Sequence, residues 1–548
     1  MSASSKKKLR KEQEAAKLTE KQLTAQKEAK KTKLYTVAFV TVMIVILAIA
    51  VTVGINQTIG NSGIRERNTT ALTIGEHELS NADLNYYFID TVNNFYSQNG
   101  SYAALFGLDV SLPLDQQYFS EESGETWADY FLDYAKSTAQ SVYAMNDAAK
   151  AEGFTMPEDV AANVDSMMST FNMYASLMGY ADTETYIKAM YGKGATAESL
   201  RNYIEMSMLA EAYSAAHEES LVYSDEDLRA AEAENFDKYS SFDYNYYYLA
   251  ASRFLEGGTT NEDGTTTYTE EEEAASIAAA EAAAKAVASA EIASVEDLDA
   301  AIAALPVNAE ITTAKSTAYT NYSYDSIDAD LAAWLCDSAR QEGDVACVTN
   351  NTTSTNEDGT ETTEILGYYV AMFHSKNDNV TPMKNVRHIL VSFEGGTTDE
   401  LGNTAYSDEE KAAAKTAAEE ILNEWLAGEA TEDSFAALAT ERTDDTGSSA
   451  NGGLYEDIYP GQMVEPFETW CYDASRATGD TGIVETTYGY HVMYFVGNSE
   501  MTYRDFQITE ELSSADHSAW TSAIVNSVSV VDGNTKYLTT GIVLGANG

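Results

Sequence analysis

Apolar and polar positions divide this chain into stretches of different rhythm. Leu34 to Ile55 is continuously uncharged over 22 residues, the length of a helix that crosses a hydrocarbon core. Residues 56–70 are polar and predict a linker. Ala71 to Asn85 begins with a short apolar run, turns at Gly75, and offers Ser80 or Asn81 as a cap. That order predicts a strand, a turn and a helix. From 125 to 230 the rhythm is helical. Tyr186, Met190, Leu200, Tyr203, Ile204 and Met208 recur at helix spacing around a break at Gly192-Lys-Gly194. Ser224-Asp-Glu-Asp-Leu228 predicts another capped start. Met167 to Met178 holds four Met with Phe171, Tyr174 and Leu177. Such a face repacks around varied partners, and it equally fits plain core filling. Beyond 241, short strands and helices alternate, and they do so twice. Residues 504–548 return to helix and strand character, with Trp520, Ile524 and a Val-rich tail.

The doubling is visible in the letters. Glu256-Gly-Gly-Thr-Thr-Asn-Glu matches Glu394-Gly-Gly-Thr-Thr-Asp-Glu at an offset of 138, and Trp334-Leu-Cys-Asp matches Trp470-Cys-Tyr-Asp at 136. Gly367-Tyr-Tyr-Val matches Gly489-Tyr-His-Val. Residues 241–376 therefore read as a second copy of the unit at 385–498, a duplication and not a solenoid. In the first copy Tyr369 stands where the second has His491. The counterpart of His388 is Tyr248 if Asn245 is set against Asn385, or Ala250 without a gap. Nothing in the first copy corresponds to Asp444-Asp445 or to Gly461-Gln-Met463, and its late hairpin, Asn350 to Thr363, is longer. It reads as an inactive spacer or a client-binding module.

Length and charge narrow the classes. At 548 residues the chain exceeds one core and implies several units. Residues 1–33 carry 11 Lys/Arg and 4 Glu, whereas the remainder carries 22 basic and 83 acidic side chains. A body this acidic excludes nucleic-acid binding through phosphate neutralisation, and its acidity serves solubility. Calcium is the sharper alternative, but no loop has EF-hand spacing. The basic segment precedes the apolar run, so the N-terminus is expected in the cytoplasm and the body outside. The apolar run and its basic prelude are too long for a cleaved signal peptide, which favours a retained anchor. Cys336, Cys347 and Cys471 are too few for a disulfide framework and lack metal-ligand spacing; one bridge, Cys336 to Cys347, stays open. There is no P-loop, dinucleotide fingerprint or HExxH motif. No metal and no cofactor is expected.

The chemistry concentrates in the second copy. His388 lies in Asn385-Val-Arg-His-Ile-Leu-Val391 and His491 in Thr487-Tyr-Gly-Tyr-His-Val-Met-Tyr494. Between them stand Thr443-Asp444-Asp445, Gly452-Gly453-Leu454 and Gly461-Gln-Met-Val-Glu-Pro-Phe-Glu468. Met463 and Phe467 are four apart on a predicted helix and would share one face. This constellation resembles the parvulin family of peptidyl-prolyl cis/trans isomerases. The chain around it resembles extracytoplasmic foldases of the PrsA and SurA type.

The resemblance implies a role for each position. Met463 and Phe467 would hold the proline ring, with Leu454 lining the same slot. His388 and His491 would lie side by side in the middle of the sheet and keep its shape, neither acting as a general base. Asp445 would tune the field at the amide carbonyl, and Thr443 and Asp444 would be a structural hydrogen-bonding pair. The chain departs from the family's Gly-Asp-Leu-Gly-aromatic pattern, reading Gly-Gly-Leu-Tyr-Glu-Asp-Ile-Tyr, one residue longer before Met463. Phosphate-directed parvulins carry a basic cluster after the first strand. Here Ser392 to Glu410 has no Lys or Arg, which argues against a phosphorylated substrate.

The expected fold is α+β: a transmembrane helix, a mainly helical SurA-like domain and two parvulin-like domains, each a small antiparallel sheet with surrounding helices. The expected boundaries are a basic segment 1–33, the span 34–55, a helical domain 56–240 completed by 500–548, an inactive copy 241–376, an isomerase copy 385–498, and a C-terminal helix and tail 499–548. The expected function is a membrane-anchored, extracytoplasmic prolyl isomerase and foldase acting on unfolded or exported polypeptides with X-Pro bonds. The alternative is a non-enzymatic chaperone or scaffold in which both copies are structural.

Overall fold

The computed structural model describes residues 63–544 apart from 262–263, 310, 312, 357–358 and 400–401. The basic segment 1–33 and the apolar run Leu34 to Ile55 lie outside the described residues. Among the described residues no helix is long and apolar enough to cross a membrane. The described chain is α+β and forms two compact units. One runs to Val222 and resumes at Leu512; the other is Tyr223–Glu511.

The first unit opens with the expected strand, turn and helix. Strands Thr70–Ile74 and His77–Ser80 pair antiparallel, and Ser80 caps the helix Asn81–Asn99 in a capping box with Asp83. The C-terminal stretch completes this sheet, because Val530–Asp532 pairs with Thr70–Ile74. Helices Trp127–Glu152, Glu158–Leu177, Thr183–Tyr191 and Ala197–Ser220 pack around a core that includes Phe88, Trp127, Phe131 and Tyr186. Of the Met-rich run, Met167, Met168 and Met178 pack against that core, while Met173 is exposed. Core filling therefore accounts for three of the four.

The second unit contains the duplication as two sheets of the same topology. The first copy comprises β1 Ser241–Ala250, α1 Glu270–Ala288, α2 Val295–Ala303, β2 Thr317–Ser323, α3 Ala329–Leu335, β3 Val345–Thr355 and β4 Glu361–Asn377. The second comprises β5 Pro382–Ser392, α4 Asp408–Ala427, α5 Glu432–Arg442, β6 Leu454–Ile458, α6 Glu465–Tyr472, β7 Thr481–Glu485 and β8 Gly489–Thr502. The strand orders are β2-β1-β4-β3 and β6-β5-β8-β7, which correspond element by element. Each sheet separates two apolar layers. In the second copy Ile389, Val492 and Tyr494 face α4 and α5 with Phe435 and Trp425, whereas Val386, Met493 and Phe495 face α6 with Phe467. This is the period-2 alternation of a strand buried on both sides.

The registers correct one equivalence. Gly367 pairs with Ala250 and Tyr369 with Tyr248, as Gly489 pairs with Ser392 and His491 with Leu390. The counterpart of His388 is therefore Tyr246, two residues before Tyr248, and not Tyr248 or Ala250. The cause is a 3-10 turn, Ala251–Phe254, that lengthens the first copy after β1. Both copies share a bulge on the outer strand, with Asn321 at φ 50° and Asp457 at φ 53°. Each bulged N–H donates to a side-chain oxygen of the neighbouring strand, Asp243 at 2.6 Å and Asn385 at 2.8 Å.

The cysteines are free thiols. Cys336 packs with Tyr244 and Leu331, and Cys347 with Ala280 and Val370, so the sheet of the first copy stands between them.

Residues 223–240, expected within the helical domain, belong to the second unit. The reason is Arg504, which is fully buried. Its guanidinium donates to the Asp378 carbonyl at 2.6 Å, to Glu232 at 3.2 Å, to the Phe236 carbonyl at 2.9 Å and to the Ser240 hydroxyl at 3.1 Å. It also lies 3.9 Å from the Phe236 ring centroid. Removing it leaves Glu232 to Arg229 alone and takes a donor from two carbonyls and from Ser240. Arg504→Met is expected to destabilise this unit by about 3–5 kcal/mol, read as a lower urea midpoint. Arg504→Lys should recover only part of that, because one ammonium cannot reproduce the fork.

Candidate active site

The neighbouring strands β5 and β8 supply the two histidines. His388 sits opposite Met493 and His491 opposite Leu390, so both imidazoles project from one face on a diagonal. Their Nδ1 atoms are 3.1 Å apart. His388 Nε2 lies 3.0 Å from Asp445 Oδ2. The same oxygen accepts from the Ser448 hydroxyl at 2.5 Å and the Tyr455 hydroxyl at 2.8 Å, while Oδ1 accepts from the Gly447 N–H at 3.0 Å. At the other end His491 Nε2 is 2.9 Å from the Thr486 hydroxyl. With one proton on each ring, a single order satisfies the chain. Thr486 donates to His491, His491 Nδ1 to His388, and His388 Nε2 to Asp445.

The loop carrying Asp445 is pegged to β5. Thr443 Oγ1 accepts the N–H groups of Leu390 at 3.0 Å and Asp445 at 3.1 Å. The Asp444 N–H donates to the Leu390 carbonyl at 2.9 Å, and Asp444 Oδ2 accepts from Ser392 N–H at 2.8 Å. Gly453 lets the loop return against the same strand. A Cβ there would meet the His388 carbonyl oxygen at 2.2 Å, at a φ of 71°.

An apolar surface adjoins this cluster. Phe467 is fully buried, and its ring stands edge-on to His388 at 5.5 Å and His491 at 5.2 Å. Met463 joins the same cluster, half-buried. It does so from the turn before α6 and not from the helix, because Val464 is the extended cap and Pro466 occupies the first turn. Leu454 does not line this surface. It pairs with Arg387, so it faces the α4/α5 side, whereas Tyr455 pairs with Val386 and faces Phe467. Tyr455 takes the place expected of Leu454, with its ring 4.5 Å from His388. His388, His491, Asp445, Phe467 and Met463 thus converge, with Thr443 and Asp444 behind the loop.

Three partners escaped the reading of the sequence: Tyr455, Ser448 and Thr486. Ser448 lies three residues after Asp445 and Thr486 five before His491, close enough to have been considered as hydrogen-bonding neighbours. In the first copy Tyr246 and Tyr369 stand at the histidine positions, 5.6 Å apart between centroids, and Tyr319 stacks on Tyr246 at 5.5 Å.

The second copy is thus an antiparallel four-stranded sheet with paired central histidines, a carboxylate and an adjoining Phe/Met surface. Residues 368–498 match the family model of the PPIC-type PPIase domain. The chain is 44% identical over 66 residues to foldase protein PrsA 1 of Listeria innocua, covering 12% of this chain and 22% of that protein. It is 33% identical over 126 residues to foldase protein PrsA 3 of Bacillus anthracis, covering 23% and 35%. The chain thus spans between a fifth and about a third of the length of these curated relatives. Among solved structures, PrsA from Bacillus subtilis aligns at a TM-score of 0.23 and 13% identity over 74% of this chain and 89% of that one. Peptidylprolyl isomerase (PrsA) from Bacillus cereus aligns at 0.17 and 25% identity over 31% and 58%.

The electrostatics follow from burial and bonding. The His388 hydrogen bond, aided by Ser448 and Tyr455 and opposed by burial, holds Asp445 well below the usual carboxylate range. Burial, with His388 beside it, pushes His491 down to about 3, against the pull of Asp445. Between pH 6.5 and 3 the unfolded chain protonates His491 while the folded chain resists. The site's contribution to stability is therefore full above about pH 6.5 and falls as pH drops through that window; the contribution of Asp445 is lost below about pH 4. The urea midpoint is expected to fall less between pH 7.5 and 4.5 in His491→Gln than in the parent. Equal falls would remove His491 from the account.

Proposed function

We propose that the second copy catalyses cis/trans isomerisation of X-Pro bonds without forming a covalent intermediate, and that the chain is a membrane-anchored extracytoplasmic foldase. The observation that carries this reading is the convergence of His388, His491 and Asp445 beside Phe467 and Met463. An X-Pro amide resists rotation because conjugation must be broken, at roughly 18–20 kcal/mol. A catalyst needs to hold the ring, exclude water and favour the twisted amide over both planar forms. Met463 and Tyr455, packed on the buried Phe467, offer the apolar surface for the ring. Asp445 keeps its negative charge in a partly dry place, and that field disfavours charge separation toward the amide oxygen, which weakens the C–N double-bond character. Its inner oxygen already accepts three hydrogen bonds, a poor arrangement for a nucleophile. The histidines hold Asp445 and the sheet, which suits a positioning role.

The acidic charge after β5 supports a preference for unphosphorylated chains. The apolar run Leu34 to Ile55 supports anchoring, with the basic residues before it on the cytoplasmic side. The proposed organisation is a helical chaperone-like domain, an inactive first copy and an active second copy. The first copy, with tyrosines at the histidine positions, would serve as a spacer or a client-binding module.

Turnover of an unphosphorylated proline tetrapeptide tests the reading. Phe467→Ala is expected to lower kcat/KM by about ten- to a hundredfold, from the roughly 1.5–3 kcal/mol of apolar packing it removes behind Met463 and the histidines. Asp445→Asn, which keeps an acceptor for Tyr455, should lower it by about a hundredfold. A parent rate equal to buffer would reject the enzyme and leave the scaffold reading. A phosphoserine-proline peptide should turn over more slowly than its unphosphorylated twin; the reverse order would refute the proposed preference.

A further inference from the structure

One face of the first unit is aromatic and exposed, and the segment that builds it, residues 68–135, contains no Lys or Arg. Its base is a continuous row of rings. Phe106 meets Phe95 at 6.1 Å, Phe95 meets Trp127 at 5.7 Å, and Trp127 meets Phe119 at 5.0 Å. Phe119 stacks on Tyr130 at 4.2 Å, and Tyr130 meets Tyr134 at 5.0 Å. Trp127 and Phe131 are buried, but Phe106, Phe119 and Tyr134 open to solvent. The 3-10 helix Gly100–Phe106 adds Leu105, 82% exposed, while its Ala103 faces the core. Exposed apolar side chains joined in one row point to an interaction site.

Charge selects the occupant. Between Arg67 and Lys136 the sequence has no Lys or Arg. Asp109, Asp115, Glu121, Glu122, Asp129 and Asp133, in the same stretch of chain as the rings, are exposed, and Lys136 is engaged by Asp133 at 3.2 Å and Asp532 at 2.9 Å. An anionic bilayer would be repelled by these carboxylates, and residues 68–135 offer no Lys or Arg to its headgroups. A second copy related by two-fold symmetry would set carboxylates against carboxylates. An extended polypeptide carrying both apolar and cationic side chains satisfies both features, since its Lys or Arg meet the carboxylates and also the ring faces.

We propose that this face is a docking site for unfolded segments that combine aromatic or aliphatic residues with Lys and Arg. The site extends the foldase reading by naming a client class, and it is separate from the isomerase chemistry. The test is fluorescence anisotropy on the full chain in phosphatidylcholine nanodiscs, with empty nanodiscs as the blank. Three labelled peptides of equal length serve as probes: one with Leu, Phe and Lys, one with Glu replacing each Lys, and one with Ser replacing each Leu and Phe.

The first peptide is expected to bind, at least tenfold tighter than either analogue, and to weaken several-fold between 50 and 300 mM salt. Leu105→Ser combined with Phe119→Ser should weaken it at least tenfold, with unchanged circular dichroism and unchanged turnover of the proline tetrapeptide. Glu121→Gln with Glu122→Gln should weaken it and flatten the salt response. Phe467→Ala should bind it as the parent does, so failure of the isomerase reading leaves this outcome intact. Binding of the Glu analogue as tightly as the Lys peptide would overturn the proposal. So would undiminished binding by the Leu105/Phe119 variant, salt-independent binding, or concentration-dependent dimerisation that the same variant abolishes without affecting the peptide.

Discussion

The pairing of β5 with β8 is the constraint on which the candidate site depends. Two imidazoles can meet at their Nδ1 atoms only if the register sets His388 opposite Met493 and His491 opposite Leu390. A slip of one residue would turn His388 toward α4 and α5 and carry Ile389 to the polar side. The register is secured by burial on both faces, since Ile389, Val492 and Tyr494 fill one layer and Val386, Met493 and Phe495 the other. The same packing that excludes water depresses His491 and so keeps it a neutral link between Thr486 and His388. Stability, proton placement and the site's geometry thus share one cause.

The first copy shows what the scaffold tolerates. It keeps the strand order, the bulge and the side-chain acceptor for the bulged N–H. What differs is the filling, where Tyr246, Tyr319 and Tyr369 occupy the polar side. A tyrosine ring fills volume and needs one partner for its hydroxyl, as Tyr369 finds in Asn350 at 3.0 Å. An imidazole pair needs a donor and an acceptor at fixed places. Replacing the pair with tyrosines keeps the layer filled without that fixed proton order.

Most of the site was legible because strand alternation and the Gly-Gln-Met-x-x-Pro-Phe block are local signals. The failures have a common form. Leu454 and Tyr455 exchange roles because side-chain parity on β6 depends on its pairing with β5. Tyr246 was missed as the partner of His388 because a 3-10 turn adds residues that letter matching cannot place. Met463 leaves the helix because Pro466 begins it late. Residues 223–240 read as helical domain because nothing local announces that Arg504, far along the chain, binds Glu232, the Phe236 carbonyl and Ser240. Apart from Met463, where Pro466 is a local signal, each was hidden in a register, an inserted turn or a long-range bond, none of which leaves a periodic trace.

The acidic charge can be understood in the same physical terms. It is spread over both units, yet the cations that remain are concentrated in roles with defined partners. Arg387 binds Glu432 and two loop carbonyls, and Arg504 is buried among acceptors. Arg340 and Arg476 each cover a tryptophan, at 4.2 and 4.0 Å, in corresponding places of the two copies. With so many of its cations engaged inside the fold, the surface presents mainly carboxylates. An unfolded chain rich in Lys and Arg would be drawn to it over a Debye length of about 8 Å, whereas acidic chains would be turned away. Apolar contact at the ring row then supplies what long-range charge cannot, a short-range hold that does not depend on sequence order. Weak, salt-sensitive capture of this kind suits a protein whose proposed chemistry requires that each proline be released after it turns.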